Sequence, residues 1–304
     1  MIRALLAATV LTVTASCGAS TPPTAATSAP PPPATTAAAP EQSATPTPSR
    51  KPVKQPKYGV PKDLKLTPST GVWAVPGQVI EGLDIKGHIF IDDGVTGVVI
   101  RNCRITGTGK DAFGIHQAGS GEVTVENVTI RGDFLDAGMG YENITARNLD
   151  IYGMTHDGAK VGDNFSITDS WIHDFKPSKG SHADGLQVFE RVKNVLIKDN
   201  VIEIGMGGTW RGHEPTDDNT NAALFIVSTL DRGRSGKIVI DGNRLSGGGY
   251  TAYIGVKGAD LSFVNNTFKR GAYLWDAVDE RAYATVWRNN TFSDNDQEIP
   301  LPTR

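Results

Sequence analysis

Short runs of alternating apolar and polar residues recur along the chain and align with one another. "VVIRNCRITG" from 98, "VTVENVTIRG" from 123, "ITARNLDIYG" from 144 and "FSITDSWIHD" from 165 share one plan. "VLIKDNVIEIG" from 195, "IVIDGNRLSG" from 238, "LSFVNNTFKRG" from 261 and "TVWRNNTFSD" from 285 continue it. Each has two or three apolar residues in period-2 alternation, then a polar residue, then a second short alternation. Such alternation predicts strands with one buried face. Repetition at twenty-odd residues predicts a stack of like units, because a sandwich of hairpins lacks a recurring corner residue. The polar column reads Asn102, Asn127, Asn148, Asp169, Asp199, Gly242, Asn265 and Asn289, in steps of 25, 21, 21, 30, 43, 23 and 24 residues.

The pattern predicts an all-β protein whose single folded domain, residues 58–304, is a right-handed parallel β-helix of about eight coils. Each coil has three short strands, and the polar column forms an Asn ladder at the corner between the second and third. Asn-x-Ser/Thr matches at Asn127, Asn143, Asn164, Asn265 and Asn289 are read as the same turns. No amphipathic helical stretch of useful length appears. The first strands are then "FGIHQ" (113–117), "LDAGM" (135–139), "DGAKV" (157–161), "DGLQV" (184–188), "ALFIV" (223–227), "AYIGV" (252–256) and "AYLWD" (272–276). Over roughly residues 80–295 this pattern resembles the pectate-lyase-like β-helix superfamily. The resemblance implies a polysaccharide cleft across the first-strand sheet, although one fold hosts many sites.

The two long steps locate insertions, and all of them border that sheet. They are "FKPSKGSHA" (175–183), "GMGGTWRGHEPTDDNT" (205–220) and "TLDRGRSGK" (229–237). Alternation turns Ala159, Val161, Leu186 and Val188 inward, so Lys160 and Gln187 point out, one coil apart at ~4.8 Å. His116 aligns in the same column two coils earlier, with Met139 in the coil between. Asp157 and Asp184 stack where the corner becomes the strand. Asp-Gly is common turn chemistry, but two stacked carboxylates repel unless a metal, a shared proton or a cation such as Lys160 offsets the charge. Lys160 and Asp184 are expected to face the cleft.

His116, His156, His173, His182 and His213 are expected in or near this face, and His88 in the N-terminal cap. Trp210, Arg211, Arg232 and Arg234 from the insertions suit a sugar ring and a uronate carboxylate. Two kinds of function follow. In the first, an enzyme acts on an extracellular polysaccharide, with β-elimination favoured. Arg211, or a Ca²⁺ on Asp157 and Asp184, would neutralise a uronate, and Lys160 or His182 would take the C5 proton. The alternative enzyme is a retaining glycoside hydrolase using Asp157 and Asp184. The chain lacks the Asn-Thr-Asp, Asp-Asp and Gly-His-Gly set of polygalacturonases and a clean match to the pectate-lyase Arg and Asp motifs. In the second, a non-catalytic surface protein binds glycan through the same His116, His156, Gln187, Trp210, Arg211, His213, Arg232 and Arg234. No cofactor other than Ca²⁺ is suggested.

Composition adds an address. A net charge of −3 over 304 residues argues against nucleic acid as a partner. "MIRALLAATVLTVTASC" has the layout of an export signal, and its apolar run is too short to span a bilayer. Ala15-Ser16-Cys17 resembles a bacterial lipoprotein box, with Thr14 where Leu is usual, so residues 1–17 form a signal and Cys17 is a lipidation candidate. Residues 18–57 read as a Pro/Thr/Ala-rich tether. Cleavage and secretion is the alternative; either way the domain is extracellular, and a monomer touching membrane only through its anchor. Cys103, the one cysteine besides Cys17, falls in an alternating segment and is expected to be a buried thiol.

Overall fold

From Thr67 onward the backbone climbs by repeating three short strands and three corners. The computed structural model describes residues 58–189, 191–206, 220–226, 235–255 and 260–302. Among these every regular element is a strand, and the strands form three parallel ladders. Sheet A runs from Val72–Trp73 through Phe113–Gln117, Ala137–Gly140, Asp157–Val161, Ala183–Val188, Thr220–Ile226 and Tyr250–Ile254 to Asp276–Val278. Sheet B runs from Val79–Glu81 to Val286–Arg288, and sheet C from Thr67–Ser69 to Thr291–Phe292. The result is a parallel β-solenoid of about eight coils.

The interior is built from stacked aliphatic columns. Ile100, Val125, Ala146, Ile167, Ile197, Ile240 and Phe263 follow one another up sheet B in register and are essentially inaccessible. Ile105, Ile130, Ile151, Ile172 and Ile202 do the same in sheet C. Each such side chain contributes ~1.5–3 kcal/mol of transfer free energy. Because a coil cannot bury its inner face alone, neighbouring coils are mutually required.

The expected corner column lies between sheets B and C, and its seven Asn and Asp members at 102, 127, 148, 169, 199, 265 and 289 have φ of 50–57°. Asn and Asp tolerate this left-handed region because their short side chains bond locally, and glycine at 242 does so freely. The backbone-satisfying role falls one residue later. Ser170, Asn200, Asn243, Asn266 and Asn290 point inward and are almost fully buried. Asn243 Nδ2 donates to Ile197 O (2.9 Å) and Asn266 Oδ1 (3.0 Å), while its Oδ1 accepts the Asn200 backbone N–H (3.0 Å). The lower coils fill this position with Cys103, Val128 and Leu149. Cys103 is accordingly a buried free thiol, its pKa raised by that burial. Asn143 and Asn164, expected at the same turns, occupy a different corner, the one leading into sheet B.

Two first strands differ from expectation. Residues 273–275 form a bend, and the last strand of sheet A is Asp276–Val278. "LDAGM" contributes Ala137–Gly140, so Met139 is buried opposite Ile115 and Ala159, and Gly140 takes the outward place beside His116. The segment ahead of Thr67 lies along sheet C: Gly59 N–H donates to Asn148 O (3.0 Å) and Tyr58 packs beside Trp171.

Candidate functional site

A glycine column shapes sheet A. Gly114, Gly138, Gly158 and Gly185 face the interior, each under the carbonyl of the next coil. An added Cβ would stand 2.7 Å from Gly138 O at Gly114 and 2.6 Å from Gly158 O at Gly138, and nearer still at Gly158 and Gly185. The residue after each glycine (Ile115, Met139, Ala159, Leu186) is also core. Two consecutive inward residues break strict alternation and leave the flanking pair, three positions apart, on the outer face. This turns Asp157 and Lys160 to the same side, where Lys160 Nζ meets Asp157 Oδ2 at 2.8 Å. The Asp-Gly doublets are therefore strand positions, and their glycines are required by the closeness of the coils.

Lys160 is the hub. Its ammonium also donates to Gln187 Oε1 (2.6 Å) and pairs with Asp136 Oδ1 (3.1 Å), which uses all three of its N–H donors. Asp157 Oδ1 accepts the Asp184 backbone N–H at 2.8 Å, and Asp184 Oδ1 accepts Asn221 Nδ2 at 2.9 Å. The expected contact of Lys160 with Gln187 and the stacking of the two aspartates are both present. Asp184, expected to face the cleft, is instead covered to 1% exposure.

Electrostatics follow from this burial. Burial pushes the Asp184 carboxyl well above the ordinary aspartate range, and the neighbouring Asp157 raises it further. Asp157 is raised by burial, with Lys160 opposing. For Lys160, burial works against the charge, but Asp157 and Asp136 outweigh it and the ammonium is held more firmly than usual. The two carboxylates thus hold the Lys160 ammonium in its charged form.

The remaining expected residues distribute as follows. His116 is outward, two coils from Lys160, its ring 5.1 Å from Phe90 and 4.7 Å from Phe113; burial among them lowers its pKa, with His88 adding to the effect. His156 stands apart, bonded to Thr155 Oγ1 and Ser178 Oγ. His182 is exposed, immediately before the strand Ala183–Val188. His173, expected near this face, belongs to sheet C, where it bonds Asp150 and Asp174 and stacks on Trp171. His88 pairs with Asp111 (2.7 Å) beside Trp73. Trp210, Arg211, His213, Arg232, Arg234 and Cys17 lie outside the described residues.

A Ca²⁺ takes six to eight oxygens, and the Asp pair does not supply them. Both Asp157 oxygens are engaged, the ammonium of Lys160 already provides the cation, and no metal-sized group of His, Cys, Asp and Glu occurs among the described residues.

The outward row of sheet A carries more than strict alternation predicts. In register it reads Trp73, Phe90, His116, Gly140, Lys160, Gln187, Phe225 and Tyr253. Asp136 and Tyr141, on the turns flanking Ala137–Gly140, join it: the Tyr141 hydroxyl donates to Asp136 Oδ2 (3.3 Å), and its ring lies 5.5 Å from Phe189. Between Tyr141 and Phe189 opens a pocket of about 410 Å³, also lined by Gln117, Glu142 and Asp163. Of the row's aromatic members Phe225 and Tyr253 lie in expected first strands, and only the register of the folded coils brings them into line with Gln187 and Lys160. Compared with known protein families, characterised proteins and solved structures, the chain finds no match.

Proposed function

We propose that this is a carbohydrate-active β-helix protein that takes an extended glycan across the outer face of sheet A and processes it at the Asp136–Lys160–Asp157–Asp184 cluster. The observation that carries the reading is the position of Lys160: its ammonium lies between Asp136 and Asp157, with Asp184 stacked behind, in the middle of a row otherwise rich in aromatic rings. Glycosidic hydrolysis needs one carboxyl that keeps its proton and one that stays ionised. Burial supplies the first at Asp184, while Lys160 opposes protonation of Asp157 and pairs with Asp136. Hydrolysis therefore fits better than elimination through Lys160, which is neither a free base nor a free cation.

A second reading, β-elimination, draws on His116. Its lowered pKa favours the neutral imidazole that a base requires. Export, and anchoring through Cys17 or secretion, place the protein where polysaccharide is met. The test is to incubate the purified chain with uronate-containing and neutral polysaccharides and to follow reducing ends and the absorbance of unsaturated product together. Reducing ends alone support hydrolysis; unsaturated product transfers the reaction to elimination. Binding without either signal leaves a glycan-binding surface and removes the enzyme.

A further inference from the structure

The outer face of sheet A is aromatic on both sides of the Lys160 cluster. On the N-terminal side the Trp73 ring is 65% exposed and lies 6.2 Å from Phe90, which meets His116 edge-on. On the C-terminal side Phe225 lies 5.4 Å from Tyr253, which meets Tyr250 at 5.2 Å. Trp275 extends this group, 5.2 Å from Tyr250 and 41% exposed. It is seated over Gly249, where a Cβ would stand 2.6 Å from the indole. Glycine there makes the room that this ring position needs.

From Trp73 to Tyr253 the row crosses seven inter-coil steps, ~34 Å at ~4.8 Å each. A glycan lying along the row, with rings advancing by about one such step, meets roughly one coil per sugar. Among the described residues, charge on this face is confined to the Lys160 cluster and to the Arg281–Asp279 pair beside Tyr250 and Tyr253. Lys160 is the one cation among the row's described residues, and its donors end on Asp136, Asp157 and Gln187. A ligand carboxylate arriving there would find two carboxylates and no unused ammonium N–H. The apolar faces of uncharged pyranose rings, by contrast, suit the exposed indoles of Trp73 and Trp275.

We infer that the two aromatic groups are the distal ends of one groove, and that its ligand is an uncharged glycan spanning about seven sugars. This rests on the proposed glycan-processing function and specifies its substrate class, against the uronate that the fold resemblance suggests.

The experiment is calorimetric titration of the full chain with gluco-, xylo- and chito-oligosaccharides of increasing length, and with oligogalacturonates of matched length. Affinity is expected to climb with each sugar to about seven and then level off. Oligogalacturonates should bind at least tenfold more weakly. Trp73→Ala and Trp275→Ala should each cost the longest ligand about tenfold and leave trimer binding unchanged. Levelling at two or three sugars, tighter oligogalacturonate binding, or insensitivity to both tryptophans overturns the inference while glycan processing stands. Failure of every saccharide to bind overturns both.

Discussion

Gly158 and Gly185 pass one another across adjacent coils so closely that a methyl group on Gly158 would press into the Gly185 carbonyl oxygen. The same methyl would meet Ile172 and Phe175, which cannot retreat from a packed interior. Gly158→Ala is expected to destabilise the domain by about 1–3 kcal/mol, the usual cost of overpacking. Urea denaturation checks this, with Ala223→Gly as the companion, since Ala223 holds the equivalent position with a methyl present. That change should cost only about 0.5–1 kcal/mol. Equal effects would remove the steric account of the glycine column.

The buried Asn ladder and the exposed Asn corner make opposite predictions at neighbouring positions. Asn243→Ala leaves the Asn200 backbone N–H and Ile197 O without their partner inside the solenoid. Each orphaned group costs about 1–3 kcal/mol, so a loss of several kcal/mol is expected. Asn289, at φ 54° in the outer corner, keeps its role when replaced by glycine, which visits that region freely. Thermal melts of Asn243→Ala and Asn289→Gly should differ widely. Similar shifts would show that the two columns are energetically one.

Most of this architecture was readable from the alignment of "VVIRNCRITG" with its seven successors, because period 2 and period twenty-odd are both imposed by the backbone. The corner at Asn102 and the contact of Lys160 with Gln187 followed directly. Met139 was misplaced because strict alternation has no room for the double inward step that Gly138 and Met139 make. Asp136 and Tyr141 were missed because they sit on turns, where no period acts and only the folded backbone brings them to Lys160. His173 was misassigned for the related reason that a histidine in sequence near one sheet can belong to another.

Asp184 gives the domain a pH dependence of definite sign. Burial raises its folded-state pKa above the unfolded value, and Asp157 adds to the shift. The folded state therefore binds this proton more tightly than the unfolded state. The stabilisation is complete below the unfolded pKa, near 4, and is lost as pH rises through the folded one. Asp184→Asn keeps an acceptor for Asn221 but carries no titrating proton. Relative to wild type, the variant's melting temperature should gain steadily from pH 4 to pH 8. A constant difference over that range would mean that Asp184 titrates normally.

Removing Lys160 should unsettle the fold as well as the chemistry. Its side chain is 15% exposed and that of Asp157 is 5%, so Lys160→Met strands a carboxylate with little access to water. Breaking a buried pair from one side costs roughly 3–5 kcal/mol, most of it the price of the uncompensated charge. The loss should shrink as pH falls and Asp157 takes up its proton, and Asp157→Asn in the same chain should restore much of the stability at neutral pH. A double-mutant cycle by urea denaturation at pH 5 and pH 8 separates the alternatives. If Lys160→Met melts like wild type at pH 8, Asp157 is not held by this ion pair. Lys160 would then be available to substrate, and the elimination reading would regain its base.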